Sequence, residues 1–233
     1  MTKKAWLLTA ASFVASTALS NPSPCGFYAG AGAGIASTEI NFDLDVRNGT
    51  DFGKKDFHKK RGHITLSVHA GYQTPLWERA FIGAEVFVRP QDYVQKTLGV
   101  NVVEEVALVT LYQDVRLRFE RSLTLGAAVH WGGYINDETA AYVSVAISGA
   151  NMKVSYGEAG ANTGSDKKFL FGVAPGGGFV HHMSEKDILR FGYSYETQTA
   201  WTTKDLDAED IDQFKVKLRN RSHNFAVSYS RFF

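Results

Sequence analysis

A single cysteine, Cys25, stands in the 233 residues, so no internal disulfide can hold the chain together. Charge of one sign is lacking too. The 25 Lys and Arg against 24 Asp and Glu give a formal +1, which argues against a nucleic-acid partner. Residues 5–18 form an apolar run behind Lys3 and Lys4, too short for a spanning helix, which needs about 20 apolar residues. Ala18-Leu19-Ser20 puts small residues at both positions that a signal peptidase reads. Residues 1–20 are therefore expected to be an export signal cleaved after Ser20, leaving 21–233 as one mature domain. That cleavage removes two lysines and no acids, moving the formal charge from +1 to −1. Pro22, Ser23 and Pro24 before Cys25 do not suit lipidation of the thiol. The aromatic content of 13% and the 22 glycines fit a soluble β-sandwich as well as a membrane protein, so composition leaves the class open.

What the chain has instead is alternation. From Ser222 to Phe233, the residues Phe225, Val227, Tyr229 and Phe233 share one parity, while Asn224, Ala226, Ser228 and Ser230 share the other. Successive strand side chains point to opposite faces, so such a segment is apolar on one side and small or polar on the other. Seven more runs behave alike: 27–38, 63–72, 82–89, 109–119, 123–131, 169–180 and 189–196. Each approaches the roughly 9–11 residues with which a tilted strand crosses hydrocarbon. The connections alternate between short (73–79, 120–121, 181–187) and long (39–61, 92–104, 136–166, 201–221). This layout predicts an all-β fold, an eight-stranded antiparallel up-and-down transmembrane barrel with long extracellular loops. Two short alternating pieces, 142–148 and 152–156, joined by Gly149-Ala150-Asn151, lie in the link 136–166. They read as a hairpin above the membrane; if both crossed, the barrel would have ten strands, as in the omptin proteases.

On the opening GFYAGAGAG (Gly26 to Gly34), the alternation of links and the terminal phenylalanine, the chain resembles a known family over nearly all of 26–233. These are the small outer-membrane barrels typified by the OmpA transmembrane domain, OmpX and the neisserial opacity proteins. The resemblance implies the outer membrane of a Gram-negative bacterium, and an assembly machinery that reads the last strand through Tyr229 and Phe233. Arg231 departs from the family pattern, which has an apolar residue third from the end. Near the interface a lipid-facing charge costs only about 0–1 kcal/mol.

The lumen of so small a barrel is filled by side chains. The inward parity holds Glu85, Arg89, Asp114, Arg116, Arg118, Arg190 and Glu196, beside His63, His69, His130 and Tyr112. Buried charges must pair, so these residues predict an internal ion-pair network; the other reading is a narrow ion path. No spacing marks a catalytic triad, and His63 alone sits near the outer end of its run, where some barrels carry a lipid-modifying site. His181-His182 falls in a short turn and does not suit a metal. The acidic segment 205–212 lacks the glycine and terminal glutamate of a calcium loop. GAGAG and PGGG are not phosphate loops, because no helix follows them; such glycines leave room for bulky lumen neighbours. No cofactor is expected.

Lys54, Lys55, Lys59, Lys60 and Arg61 form one basic run, and Lys215, Lys217, Arg219 and Arg221 another. The first and last strands are neighbours in a closed barrel, so both runs should crowd one side of the outer rim. There they would meet lipopolysaccharide phosphates or the acidic segment 205–212. The expected function is a non-enzymatic structural or surface-exposed protein, an adhesin or antigen acting through its loops. Its expected partners are outer-membrane lipids, lipopolysaccharide, the assembly machinery and host-cell surface components. A low-conductance porin is the alternative, and a lipopolysaccharide-modifying enzyme stands behind it.

Overall fold

The computed structural model describes residues 25–48, 51–90, 96–106, 109–157, 164–203 and 213–233. The export signal expected at 1–20 and the acidic segment 205–212 lie outside the described residues. Every regular element among them is a strand: β1 Gly26–Asn48, β2 Asp51–Trp77, β3 Ala80–Arg89, β4 Lys96–Val106 and β5 Val109–Tyr134. These are followed by β6 Thr139–Gly157, β7 Gly164–His182, β8 Asp187–Gln198, β9 Trp201–Thr202 and β10 Gln213–Phe232. Eight of them close a barrel in the order β1-β2-β3-β5-β6-β7-β8-β10, with β10 pairing back onto β1. The remaining two are additions at one end: β4 pairs with the first part of β5, and β9 with β10 at Lys217 and Leu218.

The register can be followed from Gly26 through Gln73, Gly83, His130, Ser144, Gly176, Ser194 and Asn224. It returns to β1 at Ala36, a stagger of ten residues from 26 to 36. Such a stagger tilts the strands, as closing so few of them into a barrel requires.

Eight strands cross, but they are not the eight read from the sequence. Runs 109–119 and 123–131 are one strand, β5, and residues 120–121 do not turn. A bulge between Arg121 and Thr124 sets two residues of β5 opposite one of β6, which breaks the parity without ending the strand. The pieces 142–148 and 152–156 are likewise one strand, β6. Gly149 is paired with Leu125 and Phe171, and a side chain at Gly149 would collide with the Phe169 ring. The glycine is thus the floor for an aromatic ring, not a turn residue. One strand read as two and one strand read as a loop cancel in the count.

The short turns are 78–79, 135–138 and 183–186. Asn136 Oδ1 accepts from the backbone N–H groups of Glu138 (3.0 Å) and Thr139 (2.7 Å). Ser184 Oγ accepts from those of Lys186 (3.2 Å) and Asp187 (3.1 Å). Short polar side chains close such turns by bonding backbone two or three residues on.

The two faces of the wall differ in kind, and the outer one changes character along the strands. Near the short turns the outside is apolar and exposed: Phe27 to Ile35 on β1, Ile64 to Tyr72 on β2, Val143 to Ile147 on β6 and Phe225 to Tyr229 on β10. Ile64 is 74% exposed. Aromatic residues edge this band, with Tyr72, Trp77 and Tyr229 toward the short turns, and Tyr193, Phe225 and Phe169 at the other margin. Beyond Ile35, Ile64 and Phe225 the outward row becomes Glu39, Lys60 and Arg221, and the buried side takes Ile40 and Leu218. The band spans nine residues of β1, from 27 to 35, which matches the roughly 9–11 of a membrane crossing. Since β1 has 23 residues and β2 has 27, more than half of β1 and nearly half of β2 stand beyond it.

Candidate functional site

Two buried carboxylates organise the lumen, Glu85 within the apolar band and Glu196 just beyond its outer margin. Glu85 on β3 lies 2.6 Å from Arg190 Nη1 on β8 and accepts the hydroxyl of Tyr28 on β1 at 3.1 Å. The Arg190 guanidinium is flanked by the Tyr28 and Tyr142 rings, at 5.5 and 5.7 Å from their centroids. Glu196, further along β8, is 1% exposed. It accepts from Arg121 at 2.7 Å, Arg89 at 3.1 Å, Ser148 at 2.8 Å and Gln198 at 3.3 Å. Gln198 Oε1 in turn accepts from Asn220 Nδ2 at 3.0 Å. The alternation of side chains along β8 sends 190 and 196 inward together, which places both carboxylate partners on one strand.

Four of the residues predicted for the ion-pair network, Glu85, Arg89, Arg190 and Glu196, meet here. Arg118 does not. The β5 bulge reverses the parity before Thr124, so Phe119 is buried and Arg118 turns outward, where its Nε pairs with Glu120 at 2.8 Å. The side chains of Asp114 and Arg116 lie outside the described residues. Arg121, assigned to a turn in the sequence, is the residue that completes the network, at 3% exposed. Ser148 was missed in the same way, as part of the supposed hairpin.

A cavity of about 140 Å³ lies beside Glu85 and Arg190, with His69, His130, Arg89 and Asn224 among its walls. Toward the short turns it is closed by a cluster that includes Tyr28, Phe81, Tyr142, Ile188 and Phe232. Toward the far end Phe119, Val154, Leu170, Trp201 and Leu218 are buried. His69 Nε2 lies 2.7 Å from Ser230 Oγ, a serine–histidine pair, but Ser230 is 0% exposed and no substrate can reach its oxygen. His63 is half-buried on β2. His182 Nε2 is 3.0 Å from the Tyr134 hydroxyl, and His181 Nδ1 is 3.4 Å from Thr139 Oγ1.

The outer surface beyond the band sorts its charges by strand. On β10, Arg221, Arg219 and Lys217 pair in register with Glu39, Asn41 and Asp43 of β1, which pair on the other side with Lys60, His58 and Asp56 of β2. The two basic sets are therefore not one patch: the acids of β1 run between them. Arg219 Nη2 is 3.0 Å from Asp43, and His58 Nδ1 lies 3.4 Å from Glu39. Lys60 and Arg61 are exposed, while the side chains of Lys54, Lys55, Lys59 and Lys215 lie outside the described residues. A second basic place was not foreseen. Lys153 of β6 sits directly opposite Lys167 of β7, one row above Phe169, and like charges so placed repel. At the short-turn rim, Arg231 is 3.8 Å from Asp187, which also accepts the Tyr229 hydroxyl at 2.5 Å.

No protein-family model matches the chain, and no curated protein matches its sequence. Solved structures do. The outer membrane protein OprG from Pseudomonas aeruginosa superposes with a TM-score of 0.57 at 10% identity, over 90% of this chain and 97% of OprG. Neisserial surface protein A gives a TM-score of 0.38 at 13% identity, over 85% of this chain and 97% of its own. The attachment invasion locus protein Ail of Yersinia pestis gives 0.36 at 12%, over 86% and 98%. Together with the closed ring of eight antiparallel strands, the OprG superposition establishes the fold: it is that of the small outer-membrane β-barrels.

Proposed function

We propose that the chain is an outer-membrane β-barrel of a Gram-negative bacterium without catalytic activity, which works at the cell surface through the part standing beyond its apolar band. The observation that carries this reading is the change of the outer face at Ile35, Ile64 and Phe225. Below that line the outside of the wall is apolar; above it the outside is charged, while the buried side carries Ile40 and Leu218 beside Thr38, Asn220, Ser222 and Glu196. A lower part solvated by lipid and an upper part solvated by water require this arrangement. The termini and short turns then face the periplasm. Tyr229 and Phe233 lie on the lipid face of the last strand, where an assembly machinery would read them, and the connections at the far end are where host-cell components would bind.

Above the band, Arg221 and Lys60, with Lys217 higher on the same face, and Lys153 and Lys167 elsewhere on the wall would hold lipopolysaccharide phosphates as charge-assisted partners. A counter-anion between Lys153 and Lys167 would turn a repulsive pair into a binding one. Reversing Lys153 and Lys167 to glutamate, together with Lys60, Lys217 and Arg221, is expected to lower the lipopolysaccharide that copurifies with the barrel. The heat-dependent gel mobility of the folded protein should persist. Undiminished lipopolysaccharide in that variant would overturn the lipid assignment.

The buried aromatic cluster at one end and the apolar interior at the other support a structural lumen over a conducting one. Planar-bilayer recordings are expected to show no stable conductance steps. Steps that change when Arg89 or Glu196 is replaced would favour transport.

A further inference from the structure

The lumen cavity presents polar atoms that the protein does not satisfy. His130, 8% exposed, has no hydrogen-bond partner at Nδ1, and its Nε2 stands 3.7 Å from Glu85, beyond hydrogen-bond length. Asn224, also 8% exposed, has no partner at Nδ2. Both residues line the same space of about 140 Å³. A buried polar group without a partner is costly, so two at one cavity imply an occupant.

Arg89 and Arg190 line the cavity with a single carboxylate, Glu85; Arg89 is paired with Glu196 from beyond its walls, and a guanidinium has five N–H donors in all. Glu85 is already engaged by Arg190 and by the Tyr28 hydroxyl, leaving little for a cation to bind. The walls add the hydroxyl groups of Ser144 and Ser194, which can turn their hydrogens toward an anion. The imidazole N–H and the Asn224 amide complete a set of donors around a site with two guanidiniums.

We infer that this cavity is a binding site for a small inorganic anion, held within the lumen by the His130 ring, the Asn224 amide and the neighbouring guanidiniums. The site does not depend on the reading of the outer surface, since no surface residue enters it. An anion there would place a negative charge between Arg190 and Arg89 and so fasten β8 to β3.

Refolding the mature chain into detergent micelles in sodium bromide lets the ion enter before the lumen closes. Crystals grown from that material should show an anomalous bromide peak beside His130 and Asn224. In solution, the midpoint of the folded-to-unfolded mobility change should be higher in sodium bromide than in sodium gluconate of equal ionic strength. His130→Phe keeps an aromatic ring against Tyr142, 5.6 Å away between centroids, and removes the donors; the bromide-dependent shift should be lost. Asn224→Leu should lose it too, and it provides the same reading where His130→Phe fails to fold. A cavity holding water without an anomalous peak, or a bromide shift equal in wild type and both variants, would overturn the assignment. Bromide found only at Lys60, Lys153 or Lys167 on the outer face would overturn it as well.

Discussion

Replacing Glu196 by alanine is expected to be the most damaging change in the lumen, lowering the stability of the folded barrel by about 3–5 kcal/mol, the range for breaking a buried ion pair by removing one partner. The reason is not the strength of the attraction that is lost. Glu196 is 1% exposed and faces two guanidiniums, Arg121 at 2.7 Å and Arg89 at 3.1 Å; its removal takes away the carboxylate that faces both charges in a low-dielectric interior. Ser148 and Gln198 lose their acceptor at the same time. Denaturant titration in lipid vesicles, read by gel mobility, measures the loss. Removing all three charges together, as Glu196→Leu with Arg89→Met and Arg121→Met, should recover most of it, because well-packed apolar residues often replace a buried ionic cluster at no net cost. If Glu196→Ala alone were as stable as the wild type, the lumen network would not be the structural centre of the barrel.

How much of this was legible beforehand depends on where the two solvents meet. Where one face met lipid along a whole segment, as in 63–72, 82–89 and 189–196, simple alternation placed both faces. Glu85, Arg89, Arg190 and Glu196 were read inward from that pattern alone. The errors gather at and above the margin of the band. Parity assigns a residue to a face, but which face is apolar changes at the water line, and no periodicity marks that line. Phe119 reads outward because it is apolar, and it is buried because the bulge between Arg121 and Thr124 shifts the parity of β5. Phe225 and Leu218 belong to one strand and to opposite faces, and both obey their local solvent.

The bulge at Arg121 to Thr124 compounded this by shifting the parity within β5, so that a single strand looked like two with a turn between them. A signal against that reading was present. The 120–121 pair is Glu-Arg, with no turn-forming residue, whereas Asn136-Asp137 offers the Asx chemistry that does close a turn. Weighing turn residues above periodicity would have moved the short connection to 135–138 and made β6 a crossing strand. His130 and Asn224 were visible only as inward positions. That both are left without partners at one cavity depends on three-dimensional packing, and nothing in the sequence announces it.

That reassignment of β6 has a consequence large enough to test directly. Val145 is the middle of the outward series Val143, Val145 and Ile147, is 56% exposed, and pairs with Val129 and Pro175 within the apolar band. Asn151 lies on the same strand and the same face, beyond the band, two residues from Lys153. Val145→Arg should therefore cost about 2–4 kcal/mol in a bilayer, as a charge near the midplane does, and Asn151→Arg about 0–1 kcal/mol, as one near the interface does. Had 142–148 stood above the membrane as half of a hairpin, or were the barrel bathed in water throughout, both arginines would face solvent and change stability by no more than about 0.5 kcal/mol. Unfolding titrations of the two variants in vesicles separate the cases. A steep cost at 145 with almost none at 151 places lipid on the outer face of β6 and puts the water line between them. Equal, small effects would return β6 to the surface and leave the barrel without its fifth wall strand.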